Sequence, residues 1–104
     1  MYNFDMNIDQ IRKLSPQLYT IARKFGIARI SIFGSIARGD SSQKSDVDFL
    51  LDIKEGASLF GIAGFTYEAE KILGISVDAV PRELLSRLND EHFVNNLLRD
   101  SLPL

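Results

Sequence analysis

The stretch "FGSIARGDSSQKSDVDFLLDI", Phe33 to Ile53, sets two glycines and a run of small polar residues ahead of an apolar segment threaded with acids. Its second half, Val47 to Ile53, predicts a strand with Val47, Phe49, Leu51 and Ile53 on one face and Asp46, Asp48, Leu50 and Asp52 on the other. Just upstream, "ARISIF", Ala28 to Phe33, is short, apolar and rich in β-branched residues, and it stops at Gly34. That predicts another strand. Either a polar loop joins these two strands, or the loop and the acids after it form a working site.

Outward from this stretch, Ile8, Ile11, Leu14, Leu18, Ile21, Ala22 and Phe25 recur at three- and four-residue steps. They predict one helix from Ile8 to Phe25, stopped by Gly26. Downstream, Ser58 to Gly74 predicts a second helix, although its interior Gly61 and Gly64 each cost about 1 kcal/mol relative to alanine. "ISVDAVP", Ile75 to Pro81, predicts a third strand. Glu83 to Leu88 and Glu91 to Leu98 predict two short helices or one bent one, with Leu84, Leu85, Leu88, Phe93, Val94, Leu97 and Leu98 facing inward. The order α-β-(short α)-β-α-β-α is that of an α/β chain. A helix between strands two and three makes them parallel neighbours joined by a right-handed crossover.

At 104 residues the chain is expected to form a single domain, residues 1 to 104, with one core. It has 45% hydrophobic and 25% charged residues, and its apolar runs are far shorter than a membrane span. No membrane partner is expected. The absence of cysteine excludes disulfides and thiolate metal sites, and a cytoplasmic location is the default expectation. A net charge of −2 with scattered Lys and Arg argues against a surface that tracks long nucleic acid. A small phosphorylated ligand remains compatible with it.

Asp46 and Asp48 stand at i and i+2 of a strand, which puts their Cα atoms roughly 6.5–7 Å apart on one face. Such a pair suits hard divalent cations bridged by carboxylates and phosphates. An isolated D-x-D is more often a turn acid followed by an exposed strand acid. Asp78 changes the weighing: it interrupts the apolar "ISVDAV", where a lone carboxylate has low strand propensity. In matching register it would lie beside the pair, and three clustered carboxylates call for a cation. The alternative for Asp78 is an edge-strand acid facing water. Asp52 lies roughly 13 Å beyond Asp48 along the strand, too far to join, and is expected at a solvated strand end.

Gly34 and Gly39 have the spacing of the first half of a G-x-x-x-x-G-K-[ST] phosphate loop, but Asp40 stands where that motif needs lysine. What survives is a strand, Gly34-Ser35 and a short helix. Glycine there lets backbone approach a ligand, and the amides and the Ser35 hydroxyl can take phosphate oxygens. Arg38 suits either a phosphate contact or a brace for a nearby aspartate. Ser35 is a poor nucleophile candidate, since G-x-S-x-G is absent and His92, the sole histidine, falls in a terminal helix.

Together, Gly34-Ser35, ten intervening residues, Asp46-x-Asp48 and the later strand acid Asp78 resemble the signature of the DNA polymerase β-like nucleotidyltransferase superfamily. The fuller "GSIARGDSSQKSDVDFLL" with "VDAV" is similar to its minimal nucleotidyltransferase group, over about Ile30 to Pro81. The resemblance implies a small mixed β-sheet of about three to four strands flanked by helices. It also implies transfer of AMP from ATP to a hydroxyl with two magnesium ions (Mg2+). Asp46, Asp48 and Asp78 match the metal ligands, Asp78 also helping to deprotonate the hydroxyl. Gly34 and Ser35, with Arg38 and Gly39 beside them, match the nucleotide-binding turn. Phe49 and Ala79 stand where the family commonly has aliphatic residues such as Ile or Leu.

Larger relatives add a domain that grips base or acceptor, and 104 residues leave no room for it. The resemblance therefore implies a partner: a helical HEPN-domain ribonuclease toxin, neutralised by adenylylation of a tyrosine near its active site. Leu84 to Leu104 and the N-terminal helix are candidate docking surfaces. Two alternatives stay open: an antitoxin that masks the toxin stoichiometrically without catalysis, and nucleotide transfer to a small-molecule hydroxyl.

Overall fold

Asn7 starts the first helix through a capping box. Its side chain accepts from the Gln10 amide at 2.9 Å, and the Gln10 side chain accepts from the Asn7 amide at 3.0 Å. The computed structural model describes residues 6–39 and 46–104. In it the expected Ile8 to Phe25 helix is two: α1, Ile8–Lys13, and α2, Ser15–Lys24. Pro16 explains the break, because it has no amide to donate back to Arg12 and its ring crowds that carbonyl.

Ile27–Phe33 forms β1, Gly34–Ala37 the single-turn helix α3, and Val47–Ile53 β2. Phe60–Leu73 is α4, Val77–Pro81 β3, and Arg82–Arg87 a 3-10 helix. Glu91–Asp100 is α5 and Leu102–Pro103 β4. The strands make one mixed sheet in the order β3-β2-β1-β4. β2 and β3 run parallel, joined through α4, while β1 is antiparallel to both β2 and β4. A four-stranded mixed sheet flanked by helices is the expected fold class. The short edge strand β4 was not expected, since two residues ending in proline carry no periodic signal.

One sheet face is the core. Ile30, Ile32, Val47, Phe49 and Leu51 are buried there with Ile11, Leu18, Phe65 and Ala69, and the Phe49 and Phe65 rings meet edge to face at 6.0 Å. The two glycines inside α4 have a packing reason. A methyl group at Gly61 would run into the Phe25 carbonyl oxygen and one at Gly64 into the Phe25 ring, so glycine lets α4 lie directly on Phe25.

The second face is covered less completely. Leu85 of the 3-10 helix is buried, whereas Leu84, Leu88 and Phe93 stay 40%, 47% and 52% exposed, against the expectation that all three face inward. The 3-10 helix packs on β2 and β3 and α5 on α3 and β1, and each turns part of its apolar surface outward.

Candidate active site

Strand alternation turns Asp48 away from the Phe49 core, and parallel register sets Asp48 directly opposite Asp78 on β3. Neighbouring strands lie about 4.8 Å apart, so the two acids are adjacent across the ladder. On the other flank Phe33, the last residue of β1, is the partner of Asp48. The chain then leaves β1 at Gly34, with φ of 79°, and a Cβ built there would overlap the Asp48 carboxylate. Glycine is needed twice over at this point, for the left-handed backbone and for the close approach. Asp46 stands one residue ahead of β2 and is exposed.

The Asp48 carboxyl is pushed up from 3.8 to about 6. Burial is the largest cause, followed by the negative charges of Asp78 and Asp46, while Arg38 pulls the other way. Among the described residues no three acidic or histidine side chains converge into a ready-made metal cage. The donor set nevertheless fits a hard cation. It is all carboxylate oxygen, drawn from two adjacent strands, and it carries mutual repulsion that a positive ion would offset.

The turn after Gly34 is held by its own backbone. The Arg38 amide donates to the Gly34 carbonyl at 3.2 Å, and the Gly39 amide donates to that of Ile36 at 3.1 Å. Buried Ile36 anchors α3, Ser35 is half-buried, and Arg38 and Gly39 are exposed. Thus Gly34 meets Asp48 from the β1 side with the charge of Arg38 acting on it, Ser35 and Gly39 belong to the same turn, and Asp78 borders Asp48 from the β3 side. Residues 40–45, which carry Asp40 and most of the ten-residue interval, lie outside the described residues.

Asp52 is not a member of this group, as its distance along β2 predicts, but it is not a solvated strand end either. It accepts from Arg82 Nε at 2.7 Å and lies 3.5 Å from Arg29 Nε, with its side chain 20% exposed. Antiparallel register places Arg29 opposite Asp52, a pairing visible only once the β1–β2 alignment is known. A second feature escaped the sequence: a hollow of about 230 Å3 beside the turn, lined by Phe33, Gly34, Arg38, Phe93, Leu97 and the polar Asn96 and Asp100. Phe93, Asn96, Leu97 and Asp100 have the i, i+3, i+4, i+7 spacing of one helical stripe, which is the signal that could have found it.

Comparison with known proteins decides the family. Residues 11–102 match the nucleotidyltransferase domain. The chain belongs to that family. A Methanocaldococcus jannaschii protein provisionally named a protein adenylyltransferase is 38% identical over 91 residues, covering 86% of this chain and 94% of that one. Protein adenylyltransferase MntA of Thermococcus cleftensis is 37% identical over 65 residues, or 62% of this chain and 66% of that one. A solved structure provisionally described as a minimal nucleotidyltransferase superposes with a TM-score of 0.76 at 29% identity, covering 95% of this chain and 97% of its own. A toxin-antitoxin structure with AMP-PNP shares the fold at a TM-score of 0.63 and 14% identity, over 85% of this chain and 69% of its own. The minimal nucleotidyltransferase resemblance is therefore sound. Among the described residues no helix is long and apolar enough to cross a membrane.

Proposed function

We propose that this nucleotidyltransferase is an antitoxin that moves AMP from ATP to a hydroxyl, a tyrosine by family resemblance, of a HEPN-family ribonuclease toxin. The observation that carries the proposal is the alignment of Asp48 with Asp78 across β2 and β3, with Gly34 pressed against the Asp48 carboxylate. That arrangement brings a phosphate-compatible turn up to a pair of acids, as transfer at the α-phosphorus requires. The names of the two archaeal relatives and the AMP-PNP-containing toxin-antitoxin structure point the same way.

In this proposal the amides of the Gly34–Ser35 turn and the Ser35 hydroxyl hold the triphosphate, and Arg38 faces its negative charge. Asp46, Asp48 and Asp78 would hold two magnesium ions, which supply positive charge for the attacking and leaving oxygens. Asp78 takes the proton of the acceptor hydroxyl. The hydroxyl oxygen bonds to the α-phosphorus, the bond from that phosphorus to the bridging oxygen breaks, and pyrophosphate leaves with the electron pair. The phosphate left on the toxin adds negative charge where RNA must bind and so repels it.

Stoichiometric masking is favoured by a separate observation: Leu59, Phe60 and Tyr67 of the α4 region are 55%, 90% and 62% exposed, an apolar patch suited to a protein partner. Cells carrying the toxin separate the two. If catalysis neutralises it, an Asp46→Asn, Asp48→Asn double variant fails to protect although it still binds the toxin. Full protection by that variant would establish masking instead.

A further inference from the structure

The hollow between α3 and α5 shares Gly34 and Arg38 with the turn assigned to the triphosphate, yet its α5 wall is not that of a phosphate site. Phe93 contributes a ring that is 52% exposed, on a helix that has no buried residue. Phe33 and Leu97 add apolar surface, Asn96 a carboxamide with donors and an acceptor, and Asp100 a carboxylate. Asp100 meets Arg99 through Oδ1 at 3.3 Å, and its second oxygen can accept another donor. A carboxylate repels phosphate, whereas a flat ring beside an amide and an acceptor is the chemistry that recognises a heterocyclic base. The volume, about 230 Å3, is below the roughly 300–1,000 Å3 of a whole-ligand pocket and suits a single base.

We propose that α5 forms the nucleobase subsite: Phe93 stacks on the base, Asn96 hydrogen-bonds its edge, and Asp100 accepts from an exocyclic amine. This inference rests on the nucleotide-binding reading of the Gly34 turn. It gives the nucleotidyltransferase domain base recognition from its own helix α5. With the six-position of the purine turned to Asp100, the subsite prefers adenine, which offers an amine there, whereas guanine presents a carbonyl oxygen that the carboxylate would repel.

Calorimetry with the full chain and magnesium tests this, using ATP, GTP and inorganic tripolyphosphate as three probes. Phe93→Ala should weaken ATP by about tenfold or more, the usual loss on removing a stacking ring, and leave tripolyphosphate unchanged. Phe93→Trp should retain ATP affinity, and Asp100→Asn should narrow the preference of the wild type for ATP over GTP. Because Phe93 is exposed, its replacement is not expected to unfold the chain, and thermal melting checks this. An unchanged ATP affinity in Phe93→Ala overturns the subsite, as does equal weakening of ATP and tripolyphosphate, which would mean that α5 merely shapes the phosphate turn. If the wild type binds tripolyphosphate but gains nothing from the base of ATP, the subsite alone fails. If it binds neither probe, the nucleotide reading fails as well.

Discussion

Replacing Asp48 by asparagine should make the metal-free protein more stable while abolishing its chemistry. Burial and the neighbouring charges of Asp78 and Asp46 raise the Asp48 carboxyl from 3.8 to about 6, so the folded state holds its proton more tightly than the unfolded chain does. For a raised carboxyl the sign is fixed: its contribution is fully present below the unfolded value, near pH 4, and is lost as pH rises through about 6. At face value the shift is worth about 3 kcal/mol at neutral pH. Water reaches part of this carboxyl and screens the repulsion, which reduces the figure to about 1–2 kcal/mol. The asparagine side chain has nearly the same shape and no charge to lose. Thermal unfolding in chelator at about pH 7.5 should therefore show Asp48→Asn melting roughly 5–10 °C above the wild type. The gain should shrink towards nothing near pH 4, where the wild-type carboxyl is also neutral. Added magnesium should raise the melting temperature of the wild type more than that of the variant. A variant that is less stable at neutral pH, or more stable by the same amount at both pH values, would refute the electrostatic origin of the strain.

Gly34→Ala must strain a backbone at φ 79° and push the Asp48 carboxylate aside. It should cost about 1–3 kcal/mol in urea unfolding and weaken ATP binding in calorimetry. Gly64→Ala gains about 1 kcal/mol of helix propensity but collides with the Phe25 ring, so a net loss of about 1–2 kcal/mol is expected by the same unfolding assay. Arg82→Met, which removes the 2.7 Å contact to Asp52, should cost no more than about 1 kcal/mol, because Arg82 is 40% exposed and Arg29 remains beside the carboxylate. That loss should diminish in high salt, which thermal melts at two ionic strengths would show.

Where the sequence was legible, local pattern and topology agreed. Val47 to Ile53 alternates, and the helix joining it to the Asp78 strand forces a parallel crossover. The adjacency of Asp48 and Asp78 followed from those two facts and a matching register. The misses have a common cause: they depend on what packs against what. Pro16 splits a helix whose apolar face is continuous in sequence, and Gly61 and Gly64 look like weaknesses until Phe25 is placed against them. Leu84, Leu88 and Phe93 read as core because they are apolar at helical spacing, yet the sheet face beneath them is only partly covered. The position of Asp52 along its own strand says nothing of its partners, which come from two other segments. The Phe93 to Asp100 stripe mixes apolar and polar residues, which periodicity counts as an ordinary amphipathic helix and not as the wall of a hollow.

The most direct test follows the phosphorus. Purified chain, magnesium and the proposed toxin partner are incubated with ATP labelled at the α-phosphate and, in parallel, at the γ-phosphate. AMP transfer should put α-label on the toxin and no γ-label, and the α-label should disappear with Asp48→Asn. γ-Label on the toxin, or α-label undiminished in the variant, would contradict nucleotidyl transfer at the Asp48–Asp78 site.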